Sequence, residues 1–286
     1  MIGDRKADEI DETEPIHSAP PRFVGIVGVP RCGSTMVGSY LGLGGRAIFV
    51  GEATRFRLQY DRVGRCGCGE QIPSCGFWQS VLRHGGELPE SDTDYSAIAS
   101  ILRSAIELSG ASLLIDSSKS AVSALALAEH LGWDSTILMV VRDPRGHVIS
   151  VHQGWRAKRT NDADPDWALL ARVTGSWWKH QALDTWRLRI PRRCRLVKYD
   201  KFEKDPARET GVHGPLVDGE VPFNHSIAGN PSRKTPNRAI AGDVRWHSMP
   251  PLKQLAVFVL GLPFTAIYRY PPIASFSVGR RKAHLR

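Results

Sequence analysis

The 286-residue chain is 42% hydrophobic and 23% charged, the balance of an ordinary globular protein rather than of a disordered or collagen-like one. Its 38 Lys and Arg outnumber 29 Asp and Glu for a net charge of +9; residues 1–22 hold six acids and three bases, so the rest carries about +12. A basic body suits anionic partners, but the basic residues are scattered, with no zinc finger, RNA-binding signature or Lys/Arg block, so a polyanionic small ligand is expected and nucleic acid is not.

The opening MIGDRKADEIDETEPIHSAPPR has no apolar core of a secretory signal, and its acids and prolines read as a flexible tail. One domain is therefore expected over residues 23–286, in the cytoplasm. Runs of β-branched and apolar residues predict strands at 23–29, 46–50, 112–116, 136–142 and 194–199. Between them lie segments of helical period. A helix is expected over 34–41. From Asp94 to Ser109, Ile98, Ile101, Ala105 and Leu108 share a face, with caps before them and Gly110 as the stop. Asp164-Pro165 opens another helix, with Trp167, Leu170, Val173 and Trp177 on one stripe. The stripe reads as core, with Trp177 and Trp178 as the alternative wall of a substrate pocket. This alternation predicts an α/β, P-loop-like three-layer fold: a central, mainly parallel sheet of about five strands flanked by helices. From 211 to 249 the pattern loosens into loops or a lid. The longest uncharged stretch, Gln254 to Tyr268, contains Pro263 and is too short to span a bilayer, so no transmembrane segment is expected, only an apolar C-terminal surface.

Five cysteines without a signal peptide argue against a structural disulfide framework. Three of them crowd into RCGCGEQIPSCGFW. Cys66, Cys68 and Cys75 with nearby His84 form one possible zinc knot, but C-x-C is not the usual C-x2-C hook. A local disulfide or redox pair is the second reading. Reduced structural thiols, with no metal required, is the one adopted.

The segment that carries most chemistry is GVPRCGST, residues 28–35, between the first strand and the helix after it. A strand, a glycine-rich turn and a helix N-terminus aim backbone N–H groups and a helix dipole at one point, which binds an anion. Nucleotide-hydrolysing P-loops place a lysine where this chain has Ser34; here the charge sits at Arg31, whose guanidinium can fork onto the oxygens of a transferred group or a leaving phosphate. A second constellation, Arg142-Asp-Pro-Arg-Gly-His-Val-Ile-Ser150, puts an arginine at a strand end, a cap and a proline at a helix start, and a hydroxyl returning on that helix.

Pro30-Arg31-Cys32-Gly33-Ser34-Thr35 resembles the first signature of sulfotransferases that use 3′-phosphoadenosine-5′-phosphosulfate (PAPS), with Cys32 in place of the usual serine. Arg142 and Ser150 resemble the second. The resemblance implies PAPS as sulfuryl donor and no metal. It implies that the loop, Arg31 through Thr35, holds the 5′-phosphosulfate and that Arg142 and Ser150 hold the 3′-phosphate. The stretch from Leu196 to Pro206 looks like the segment whose tyrosine lies against adenine, here Tyr199. Ser232-Arg233-Lys234, with Gly242, Asp243 and Trp246, is similar to the late region that closes over the nucleotide, with Arg233 as a phosphate ligand.

Gly51-Glu52-Ala53-Thr54-Arg55 resembles the Gly-Glu-x-Thr-Arg of protein tyrosine sulfotransferases and a comparable Gly-Glu in bacterial sulfotransferases. The resemblance implies Glu52 as the base that deprotonates the acceptor, with His152 as the competing base and His147 as a structural or surface residue. Lys119, just past a predicted strand end, and Arg31 are the expected cations for the transferred group. The rival function is a P-loop kinase, for which Leu113-Leu-Ile-Asp116 would offer a magnesium-binding acid. Acceptor pockets are built from variable loops, so small molecule, lipid, glycan and peptide all stay open, as does the oligomeric state.

Overall fold

The computed structural model describes residues 20–43, 46–156, 165–188, 194–202, 204–211, 225–229 and 245–273. All five predicted strands are present: β1 Arg22–Val27, β2 Ala47–Gly51, β3 Leu113–Lys119, β4 Asp134–Val141 and β5 Cys194–Lys198. They lie in the order β2-β3-β1-β4-β5, every neighbouring pair parallel. Parallel strands need crossover connections, which place helices over the sheet and bury the strands on both faces. Accordingly β1 is buried from Phe23 through Val27, and Leu114, Ile115 and residues 137–141 of β4 are buried beside it.

The helices in chain order are α1 Ser34–Leu41, α2 Phe56–Asp61, α3 Gly76–Arg83, α4 Tyr95–Ser109, α5 Ala121–Leu131, α6 Pro144–Arg156, α7 Trp167–Arg187, α8 Tyr199–Phe202, α9 Pro206–Thr210, α10 Pro251–Leu260 and α11 Phe264–Ile267. Their ends follow capping chemistry. The Asp94 carboxylate accepts from Ala97 N–H at 3.2 Å and Gly110 turns left-handed behind α4. The helix expected to open at Asp164-Pro165 starts two residues later, because Asp166 is its cap and accepts from Leu169 N–H at 2.6 Å. On that helix Leu170, Val173 and Trp177 are core, whereas Trp167 and Trp178 are exposed.

Two register shifts lie where the sheet meets the loops. Between Gly25↔Asp116 and Val27↔Lys119, β3 carries one residue more than β1, and a second irregularity separates Phe49 from Gly51 on β2. Such bulges re-aim the side chains at a strand end. They affect the ends that carry Glu52 and Lys119.

A second apolar cluster, Val148 with Leu169, Leu170, Val173, Met249 and Val257, binds α6, α7 and α10. Beyond it Leu252, Val259, Leu260 and Ile267 are exposed, as the expected apolar C-terminal surface. Among the described residues no helix is long and apolar enough to cross a membrane.

The start of α6 is fixed by a buried ion pair. Arg145 is 1% exposed, and its Nε and Nη2 meet the Asp143 carboxylate at 2.8 and 2.5 Å. Its Nη1 donates to Pro272 O at 3.1 Å, and its guanidinium lies 3.9 Å from the Trp246 ring centre. Asp143 also caps α6 through Arg145 N–H at 2.9 Å. Removing one partner of such a pair strands the other charge in a dry environment. Arg145→Ala should therefore lower the unfolding free energy by about 3–5 kcal/mol in urea titrations, and Arg145→Lys should recover little because lysine lacks the bidentate fork. A loss no larger than that of an exposed pair would contradict this role.

Candidate active site

In a parallel sheet, ligands gather beyond the carboxyl ends of the strands, where the strand order switches. Read across the sheet, those ends present Glu52 after β2, Lys119 on β3, the 28–33 loop after β1, Arg142 after β4 and Tyr199 after β5. The candidate residues form two groups on either side of the loop.

The loop depends on close backbone approach. Gly28 has φ 151°, donates to Lys119 O at 3.0 Å, and has no room for a Cβ, which would lie 2.5 Å from Val140 O. Gly33 has φ 108°, and a Cβ there would run into the Tyr199 ring. Arg31 between them also has positive φ, 75°. Ser34 and Thr35 are buried in the first turn of α1, whose N–H groups have no intrahelical acceptor by helix geometry. Cys32 turns inward: it is fully buried, its N–H closes a turn on Val29 O at 3.0 Å, and burial pushes its thiol above the usual range.

On one side, Arg31 Nε donates to Ser150 Oγ and its Nη2 to Ser150 O, both at 3.2 Å. Arg142 Nη1 donates to Arg31 O at 2.8 Å, and its guanidinium lies 5.2 Å from the Tyr199 ring centre. Trp177 Nε1 in turn donates to Arg142 O at 3.1 Å, fixing the end of β4 to α7. Arg31, the Arg142–Ser150 pair and Tyr199, read from three separate stretches of the sequence, thus form one cluster. Below it His147 is buried, and burial together with the charges of Arg142, His180 and Arg31 pushes its pKa down to about 3. His152 lies half-buried one turn further along α6. Arg233, Gly242 and Asp243 fall outside the described residues.

On the other side, the Lys119 ammonium pairs with Glu52 Oε1, and Arg55 Nε lies 3.6 Å from Glu52 Oε2. Both members of the Lys119–Glu52 pair are largely buried. Lys119 has φ 68°, a left-handed conformation at the end of the bulged strand. A buried acid holds Glu52 in place. Asp116 accepts from Ala53 N–H at 2.9 Å, Ser118 N–H at 3.0 Å and Ser118 Oγ at 2.8 Å, while Ser118 Oγ accepts from Thr54 N–H at 3.2 Å. The backbone immediately after Glu52 is thereby tied to β3. Burial is the main reason the Asp116 pKa is pushed up to about 6. Three donors thus occupy its two oxygens. Sequence reasoning gave no role to Arg55, although it stands in the quoted motif, and missed Asp116 and Ser118 as supports.

The residues 21–211 match the model of the sulfotransferase domain. The chain belongs to the sulfotransferase domain family. Among solved structures it is similar to the sulfotransferase domain of the Synechococcus PCC 7002 olefin synthase, at 17% identity and a TM-score of 0.55, covering 91% of this chain and 98% of that one. It also matches a sulfotransferase domain from the curacin biosynthetic pathway, at 14% identity over 76% and 83% of the two chains with a TM-score of 0.46. A sulfotransferase from Alicyclobacillus acidocaldarius matches at 14% identity over 87% and 94%, with a TM-score of 0.45. No curated protein matches the chain. The Synechococcus likeness speaks for the fold of this sulfotransferase; the family match speaks for sulfuryl transfer.

Asp116 gives the sulfotransferase a defined pH dependence. Its carboxyl ionises at about 6 in the folded chain and at about 3.9 when unfolded. Between those values the folded state holds the additional proton, so the stability this group contributes is full below about pH 4 and falls as pH rises through about 6. Asp116→Asn removes this dependence. The wild-type minus variant difference in unfolding free energy should drop by on the order of 2 kcal/mol between pH 4 and 7, and a flat difference would contradict the raised pKa.

Proposed function

We propose that this sulfotransferase moves the sulfuryl group of PAPS to an acceptor hydroxyl or amine, within one domain spanning residues 23–286. The observation that carries the reading is the Lys119–Glu52 pair beside a phosphate-type loop: Lys119 O accepts the Gly28 N–H while Lys119 Nζ meets Glu52. A base and a cation thus stand at adjoining strand ends. The cluster of Arg31, Arg142 and Ser150 would supply the second half of a site for a nucleotide bearing phosphates at two positions of its ribose.

The residues fit such a donor. Gly28 and Gly33 let the backbone approach an anion closely, and two guanidiniums gather at the loop, Arg31 on the Ser150 hydroxyl and Arg142 on the Arg31 carbonyl. Arg31 and the loop amides through Thr35 would hold the phosphosulfate, Arg142 and Ser150 the 3′-phosphate, and Tyr199 the adenine face. Arg233 belongs to the same proposal as a further phosphate ligand. PAPS, when bound, supplies the sulfuryl group and leaves as 3′,5′-adenosine bisphosphate.

In the transfer, Glu52 takes the acceptor proton as the acceptor atom bonds to sulfur. The bond from sulfur to the bridging oxygen breaks, and its electron pair stays on that oxygen. Lys119 and Arg31 stand to neutralise the charge that develops there. Lys119 has three donors, so it can keep Glu52 oriented and still serve the leaving oxygen. Arg55 steadies the other carboxylate oxygen.

Glu52→Gln should reduce turnover by about 10²–10⁴-fold and leave the affinity for 3′,5′-adenosine bisphosphate unchanged in calorimetry; normal turnover would remove Glu52 from this role. Arg142→Ala should weaken that affinity by about 10–100-fold, the worth of a charge-assisted contact. Binding should be indifferent to magnesium. A magnesium-dependent preference for ATP would instead establish the kinase reading. The acceptor itself is to be found by incubating the protein with labelled PAPS and a metabolite extract and identifying the labelled product.

A further inference from the structure

Outside the glycine loop and the Lys119–Glu52 pair, three thiols and an imidazole converge. Cys66 and Cys75 are fully buried, His225 is 6% exposed, and Cys68 closes the group from the solvent side. The four donor atoms lie within 4.8 Å of one another. His225 Nδ1 is 3.5 Å from Cys66 Sγ and 3.3 Å from Cys75 Sγ, and Cys68 Sγ is 3.8 Å from Cys75 Sγ. A tetrahedral zinc with Zn–S of about 2.3 Å and Zn–N of about 2.0 Å holds sulfurs about 3.8 Å apart and sulfur and nitrogen about 3.5 Å apart. The three separations given are close to the edges of that tetrahedron, and the other three are no longer than 4.8 Å.

We infer that Cys66, Cys68, Cys75 and His225 bind one zinc ion as a closed structural site. His84, the histidine nearest in sequence, is not part of it: it is exposed and lies 3.0 Å from Glu107. The local backbone suits thiolate ligands. A tight turn runs from Cys66 to Glu70, with Cys66 N–H on Glu70 O at 2.7 Å and Gly69 N–H on Cys66 O at 3.0 Å. Burial pushes the Cys66 and Cys75 thiols above their usual range, and one backbone N–H on each, from Cys68 and from Trp78, works against that shift. The His225 ring stacks on Phe77, centroids 4.3 Å apart at 13°, which fixes the plane of the imidazole. Three soft thiolates with one imidazole in a tetrahedron select zinc over oxygen-seeking cations. A disulfide would employ two of the four donors and leave the convergence of the others without purpose.

The ion would act as a clasp. Three hydrogen bonds already hold the His225 segment: Trp78 Nε1 to His225 O at 3.0 Å, Gly67 N–H to Ser226 O at 2.9 Å and Ile227 N–H to Val50 O at 2.8 Å. Residues 226–228 crowd Gly51, where a Cβ would meet Ile227 N and Ala228 O at 2.9 Å. Zinc would thus staple a segment from late in the chain onto the end of β2, beside Glu52.

Elemental analysis of the intact protein, purified under reducing conditions, should find one zinc per chain. Replacement by cobalt(II) should give the thiolate charge-transfer and ligand-field absorption of a tetrahedral centre. His225→Cys should retain the ion with a shifted cobalt spectrum and His84→Ala should leave metal content and spectrum unchanged, whereas His225→Ala should lose that spectrum. Folded, reduced wild-type protein that holds no zinc and gives no cobalt absorption overturns the site. So does a disulfide between two of Cys66, Cys68 and Cys75 in that protein, read by non-reducing peptide mapping. An unaltered cobalt spectrum in His225→Ala overturns the fourth ligand.

Discussion

Lys119 joins the two halves of the site, and much of the local structure exists to hold it there. Its carbonyl accepts the first N–H of the glycine loop, and its ammonium holds Glu52. An extra residue in β3 and a left-handed backbone at φ 68° direct the two groups apart, one toward each partner. A regular strand would carry the side chain to a fixed face and could not serve both. The position of the glycine loop relative to the acid is therefore set by one residue's backbone and side chain together.

Around this joint, charges are separated by depth. Asp116 lies beneath, where three donors occupy its oxygens, and it stiffens the turn after Glu52. Glu52 faces two cations nearer the opening. On the far side of the loop, Arg145 is withdrawn into a buried pair with Asp143, while Arg142 three residues earlier reaches the loop. Two acids and two arginines of similar sequence surroundings thus divide into supports and working groups. All four are buried, but the supports lie deeper, Asp116 and Arg145 at 0% and 1% exposure against 7% and 9% for Arg142 and Glu52; a fully buried charge must satisfy its partners completely, whereas one at the margin can exchange a partner for a ligand.

The sheet was legible because strands buried on both faces appear as unbroken β-branched runs, and all five coincide with the structure within a few residues. The start of α6 was legible as well, since Asp143-Pro144 is a cap and a first-turn proline. What escaped has long separation or atypical burial. His225 meets Cys75 across 150 positions, so no local spacing could name it, and the histidine beside the cysteines in sequence pointed the wrong way. Arg145 is fully buried although arginine is usually a surface residue. Trp177 and Trp178 are adjacent in sequence, yet one is core and its neighbour is exposed, donating to Leu262 O at 2.7 Å. Composition cannot separate such neighbours; the rotation of the helix against the sheet does.

The backbone at Arg31 and Lys119 carries a consequence for evolution under different pressures. Both lie in the left-handed region, φ 75° and 68°, where glycine would rest with less strain. At Arg31 thermal robustness and the cation of the site therefore pull one codon in opposite directions, whereas at Lys119 the loss of the ammonium would strand the Glu52 carboxylate and cancel the relief. A lineage selected only to survive heat has a short route to glycine at Arg31, and would keep its sheet and its loop while losing the charge that the loop presents.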